Sequence, residues 1–289
     1  MRKKKKQENV NRQYKSRLFE MIYKDKKELL DLYNAVNETA YDNPDELEIN
    51  TLENAIYLSM HNDVSFVIDS RLSLYEHQST YSPNLPLRYL MYVSDLYSKM
   101  TKDANLYGSK KILIPPPKFL IFYNGIEERP EKEEMKLSDA FAIEDPEPSL
   151  ELKAVMLNIN PGNNEALVKA CKSLKDYVEY TSRVRQYAEE MNIEAAVEKA
   201  ITECIREDIL ADFLTTFRAE AMKMSIYEYD EERQRRFDRE EGREEGREEA
   251  IVEIAKQMLL DNVSWSVIEK YCRLSETEIK ELITKLNKE

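Results

Sequence analysis

Lys118-Phe119-Leu120-Ile121-Phe122-Tyr123 is the run that most constrains the fold. It is apolar with almost no alternation. Pro115-Pro116-Pro117 bounds it before and Asn124-Gly125 after. A strand exposed on one face would alternate apolar with polar residues, so continuous apolarity predicts burial on both faces, as in a central strand of a helix-covered sheet. Ala154-Val155-Met156-Leu157-Asn158-Ile159 reads as a second such strand, after an acidic, proline-containing loop over 127–149. Apolar positions at Leu18, Met21, Ile22, Leu29, Leu32, Tyr33 and Val36 predict a helix over 14–37 lying on that sheet. Pro86 or Leu87 opens another helix, running to about Met100 and carrying Arg88, Tyr92 and Tyr97. The tyrosines read as core residues. The segment Ile49 to Met60 reads as strand or short helix. The expected class is α/β, a small mixed sheet flanked by helices and followed by an all-helical C-terminal region.

Between the segment Ile49 to Met60 and the helix opened by Pro86 or Leu87, residues 62–78 read as a β-hairpin, with two runs rich in Val, Ile, Phe, Leu and Tyr around Asp69-Ser70-Arg71. A loop of Ser70 and Arg71 sets Asp63 opposite Gln78; a loop of Asp69 and Ser70 sets it opposite Glu76. Opposed residues share a face and side chains alternate, so either register puts Asp63 on the face of Glu76 and Gln78. A three-residue loop without a bulge would put it on the other face. His77, between Glu76 and Gln78, should point away. Two converging carboxylates repel, and a hard divalent cation with room for water and phosphate oxygens is the natural compensation. That chemistry suits phosphodiester hydrolysis, with Gln78 positioning water or a phosphate oxygen. Glu53 is a further candidate acid, more readily read as an exposed side chain. Arg88, in the first turn of its helix, is a candidate for substrate phosphate or an ion-pair partner for a nearby acid.

Asp63 followed by Glu76-x-Gln78 resembles the variant signature of the PD-(D/E)XK nuclease superfamily in which Gln replaces Lys. More narrowly the chain resembles the Rpn family of recombination-promoting nucleases, also described as transposase-like. Leu29-Leu30-Asp31-Leu32-Tyr33-Asn34-Ala35, Leu47-Glu48-Ile49-Asn50-Thr51-Leu52-Glu53, Asn62-Asp63-Val64-Ser65-Phe66, Tyr75-Glu76-His77-Gln78-Ser79, Arg88-Tyr89-Leu90-Met91-Tyr92 and Phe122-Tyr123-Asn124-Gly125 occur in the order of that family. Asn62 stands where the superfamily name has Pro. Arg17-Leu18-Phe19-Glu20 departs from an Asp-x-x-Phe-Lys pattern common near the family's N-terminus. The resemblance implies a restriction-endonuclease-like core and a Mg²⁺-dependent DNA endonuclease (Mn²⁺ as an alternative ion) linked to recombination or mobile elements. Asp63, Glu76 and the His77 backbone carbonyl would be its metal ligands. Its alternative is a catalytically silent nuclease fold that binds DNA or protein.

Net charge is −13 over 289 residues, yet residues 1–30 carry eleven Lys and Arg against four acids. A basic arm of this kind can meet phosphate while an acidic body stays soluble; a solubilising tail is the plain alternative. No run approaches the roughly 18 apolar residues of a membrane span, so the expectation is a cytoplasmic chain with no membrane partner. Cys171, Cys204 and Cys272 are far apart and only His61 and His77 are present, which argues against zinc and histidine-rich centres. Four segments are expected: a basic tail (1–12), the nuclease-like domain (13–163), a helical region (164–235) and a charged helix with a small helical module (236–289). Helical spacing covers 164–207 and 209–224. Arg239-Glu240-Glu241-Gly242 and its repeats to Ala250 suit a solvated helix whose two glycines weaken it, as a connector or a homo-oligomer contact. Ser264 and Ser275 are expected N-caps of two last helices. Glu276, Glu278 and Glu281 favour packing over DNA reading there.

Overall fold

In the computed structural model, which describes residues 18–49, 64–261 and 263–286, the chain divides into two compact units, 1–230 and 231–289. Helices α1 (Leu18–Ile22) and α2 (Lys26–Asn37) open the first. The single helix expected over 14–37 is broken between them. Asp25 takes an extended conformation and its side chain accepts from the backbone of Lys27 and Glu28, starting a new helix. Residues 14–17 of the expected helix lie outside the described residues.

The strands are β1 (Glu48–Ile49), β2 (Val64–Ile68), β3 (Arg71–Gln78), β4 (Pro117–Tyr123), β5 (Lys132–Lys136) and β6 (Lys153–Asn158). They form one six-stranded sheet in the order β1-β2-β3-β4-β6-β5. The inner strands β3, β4 and β6 run parallel, and β2 and β5 pair antiparallel to their neighbours. Helix α3 (Leu85–Met100) connects β3 towards β4, since parallel neighbours need a crossover. β4 holds the central place its apolarity predicts: Phe119 to Tyr123 are all buried. β5 falls within the segment expected to be loop. Lys132-Glu133-Glu134-Met135-Lys136 buries only Met135, because an edge strand can keep its charges in water.

The sheet separates two cores. On one face Phe66, Tyr75, Leu120 and Phe122 pack with Phe19, Tyr23, Leu29 and Tyr33 from α1 and α2. On the other, Leu72, Leu74, Phe119, Ile121 and Met156 meet Leu85, Tyr89, Val93 and Leu96 of α3. Tyr92 is fully buried there, and Tyr97 donates to the Pro115 carbonyl at 2.7 Å, as residues of a core helix.

Beyond β6 come α4 (Glu165–Ala170), α5 (Lys172–Ala188), α6 (Ile193–Arg206), α7 (Ala211–Thr216) and α8 (Arg218–Leu260). Helical spacing alone runs through the extended Cys171 that separates α4 from α5, and through Phe217 between α7 and α8. Leu174, Tyr177, Val197 and Ile201 complete the first core, so these helices close one face of the sheet. Ser225 of α8 sits 2.7 Å from the Tyr180 hydroxyl. In the second unit, α9 (Trp265–Cys272) and α10 (Glu276–Leu286) bury Ile268, Cys272, Ile279 and Leu282 with Ala255 of α8. Ser264 precedes α9 in an extended conformation. Ser275 caps α10 reciprocally: its hydroxyl accepts from the Glu278 backbone and its own N–H donates to the Glu278 carboxylate at 2.7 Å. Among the described residues no helix is long and apolar enough to cross a membrane.

Candidate functional site

The hairpin turn is the two residues Asp69 and Ser70, both left-handed with φ of 48° and 59°. That is the backbone of a type I′ turn, whose twist matches the flanking strands. Tyr41 steadies it by donating to the Asp69 carboxylate at 3.2 Å. Of the registers open from the sequence, the turn selects the one pairing Ile68 with Arg71 and, at the far end, Val64 with Tyr75. Asp63, Glu53 and the rest of 50–63 lie outside the described residues.

Glu76 and Gln78 share the face that α3 covers, and both are buried. Gln78 Nε2 donates to Glu76 Oε1 at 2.9 Å. His77 points the other way, as alternation requires. Its ring stacks on Phe19 at 5.1 Å, and its Nε2 lies 2.9 Å from the Tyr177 hydroxyl. Main-chain groups alternate too. The Leu72 N–H and the Gln78 carbonyl both bond towards β4, so the odd-numbered His77 carbonyl points to the opposite, β2 side of β3.

A carboxylate with 1% of its side chain exposed needs a compensating positive charge. Arg88 supplies one from the first turn of α3, pairing its Nη2 with Glu76 Oε1. Of the two roles open to Arg88 in the sequence, the structure displays the ion pair. The guanidinium is also held by the Tyr92 hydroxyl, one helical turn on, at 3.0 Å from Nη2 and 3.3 Å from Nε.

The end of β4 locks against the end of β3. Asn124 N–H donates to the Gln78 carbonyl at 3.0 Å, and Asn124 Nδ2 donates to Thr181 Oγ1 at 2.9 Å. Arg185 of α5 donates to Asn124 Oδ1 at 2.8 Å and also to its main-chain carbonyl. Gly125 follows where no Cβ fits: one would lie 2.3 Å from the Ser79 carbonyl oxygen. Asn160 ties the end of β6 to the same corner, donating to the Gly125 carbonyl and to Asn158 Oδ1, both at 2.9 Å. In the sequence Asn124-Gly125 stands out as the end of the apolar strand and as part of a resemblance, and nothing there gives Arg185 a role. A contact 61 residues apart leaves no local pattern.

Glu76 and Gln78 offer a carboxylate and an amide oxygen on the face that α3 covers, and His77 offers a backbone carbonyl directed towards the β2 side of β3. All are oxygen, the type a hard divalent ion takes, so Glu76, Gln78 and the His77 carbonyl fit Mg²⁺ or Mn²⁺ in kind. Among the described residues no group of three His, Cys, Asp or Glu gathers as a metal site. A separate cavity of about 590 Å³, lined by Asp25, Glu28, Lys172, Asp176, Phe213 and Phe217 among others, includes none of Glu76, Gln78 or Arg88. Lys172 spans its wall, donating to Asp176 at 2.7 Å, which raises the lysine's pKa. The three cysteines are buried and unbridged. No protein-family model, curated protein or solved structure matches the chain.

Proposed function

We propose that the chain is a divalent-metal-dependent endonuclease that hydrolyses DNA phosphodiester bonds, with a restriction-endonuclease-like core of the Rpn kind and a role in recombination or mobile-element biology in the cytoplasm. The observation that carries this reading is the buried Glu76 carboxylate beside Gln78, on one face of a strand whose neighbour β4 runs parallel, with a guanidinium brought to it by the crossover helix. Open α/β sheets place ligands at the carboxyl ends of parallel strands, where Gln78, Asn124 and Asn158 stand. Glu76 and Asp63 would hold the ion with the His77 carbonyl, and Gln78 would orient water or a phosphate oxygen. A bound Mg²⁺ or Mn²⁺ supplies polarisation of the phosphate and an acidified water. Arg88 adds a planar donor fork for phosphate.

Plasmid nicking with and without Mg²⁺ tests the reading. Asp63→Ala and Glu76→Gln should each abolish metal-dependent cleavage with helix content unchanged; cleavage that survives both substitutions sinks it. One observation favours a second reading, a silent nuclease fold acting as a DNA- or protein-binding module: Glu76 already has a cation in Arg88. That reading predicts no Mg²⁺ or Mn²⁺ binding dependent on Asp63 and Glu76 by calorimetry.

A further inference from the structure

Arg88 sits where the proposed metal ion would have to act. Its Nη2 is on Oε1 of Glu76, the oxygen that also accepts from Gln78 Nε2 at 2.9 Å. Two donors, one carrying a full charge, therefore engage the same carboxylate oxygen. A divalent cation arriving at Glu76 would meet a like charge in direct contact with its ligand. The carboxylate is almost fully buried while the Arg88 side chain keeps 29% of its surface exposed, so the cation is the partner with room to move. It is also tethered independently of Glu76. Both contacts with the Tyr92 hydroxyl come from α3 itself, and Tyr92 is immobilised in the core.

Resting on the metal-site reading above, we propose that Arg88 is the internal counter-ion of Glu76, that a divalent cation must displace it, and that the displaced guanidinium, still tied to Tyr92, becomes a phosphate contact. Glu76 is then charge-compensated in both states, by Arg88 or by the ion, and the fold does not depend on metal. Removal of Arg88 from Glu76 by a substrate phosphate strengthens metal binding, and by linkage bound metal strengthens the phosphate contact equally. Gln78 fits this scheme: as a neutral donor it supports Glu76 without adding a second charge that the ion would have to overcome.

The test is calorimetric titration of the full chain with Mn²⁺ alone, comparing wild type, Arg88→Gln, Arg88→Lys and Glu76→Gln. Arg88→Gln should bind Mn²⁺ about tenfold tighter than wild type, within the usual range of a coupling between sites. Arg88→Lys keeps the charge and loses the fork shared by Glu76 and Tyr92, so its affinity should rise by about threefold. It carries the test if Arg88→Gln fails to fold. Glu76→Gln should abolish binding. Glu76-dependent binding that neither Arg88 variant tightens overturns the counter-ion role and leaves the metal site standing. Absence of Glu76-dependent binding in every variant overturns both.

Discussion

The Tyr177 hydroxyl of α5 lies 2.9 Å from Nε2 of His77 on β3, on the face of the sheet opposite Glu76. Both groups are buried and the rings meet edge to face. The contact ties a helix far along the chain to the strand that carries the candidate site. Tyr177→Phe keeps the ring and removes that partner of the imidazole nitrogen, so unfolding free energy should fall by about 1–3 kcal/mol. Urea denaturation with an unchanged slope would measure this. Because His77 faces away from Arg88, any Glu76-dependent metal affinity should stay within error of wild type.

Gly125 makes a sharper structural prediction. An added Cβ would press on the Ser79 main-chain oxygen at 2.3 Å and on the Tyr123 hydroxyl at 2.5 Å. The tyrosine ring can give, but the backbone just past Gln78 cannot do so without moving the strand end. Gly125→Ala should therefore cost about 1–3 kcal/mol, as overpacking does. If the chain acts as the nuclease proposed above, the same substitution should also lower its cleavage by shifting Gln78, whose carbonyl accepts from Asn124. Wild-type stability in this variant would contradict the close approach.

These two positions mark what a sequence can and cannot disclose. The burial of β4 is written in its unbroken apolarity, and the shared face of Glu76 and Gln78 follows from their spacing of two. The sequence leaves the turn open because Asp69-Ser70 carries no glycine to declare its left-handed backbone. β5 was hidden because an edge strand with one buried residue looks like a charged loop. The break before α2 depends on a single capping carboxylate at Asp25, to which apolar spacing is blind. The Arg88 pair with Glu76 was legible only as one of two options, since choosing between phosphate and acid needs the angle at which α3 crosses the sheet.

Cys204 of α6 gives a pH-dependent prediction. Burial pushes its thiol up to about 11, with the nearby Arg183 guanidinium opposing. A thiol whose folded pKa lies above its unfolded value keeps its contribution to stability below the unfolded pKa and loses it as pH rises through the folded one. Stability should therefore decline as pH rises from about 9, the unfolded thiol value, through about 11. Cys204→Ala should show a smaller drop in urea midpoint between pH 8 and pH 10.5 than wild type does. Equal drops would mean that this thiol does not contribute.

Gly242 and Gly246 both lie inside α8, and among the described residues a Cβ built on either meets nothing within 4 Å beyond the adjoining helix backbone. No neighbouring atom among the described residues thus requires a glycine at either position. In a helix interior each costs about 1 kcal/mol relative to alanine, through backbone entropy. Gly242→Ala and Gly246→Ala should each raise helix stability by about that amount, seen as a higher thermal midpoint with greater ellipticity at 222 nm. If the glycines instead admit a helix of a second copy, the same substitutions would block close approach and weaken association. Sedimentation of the double variant over a range of concentrations separates the two: stabilisation with an unchanged distribution of species makes the glycines a weak point of a lone helix, while stabilisation of the monomer at the expense of a larger species makes them a contact.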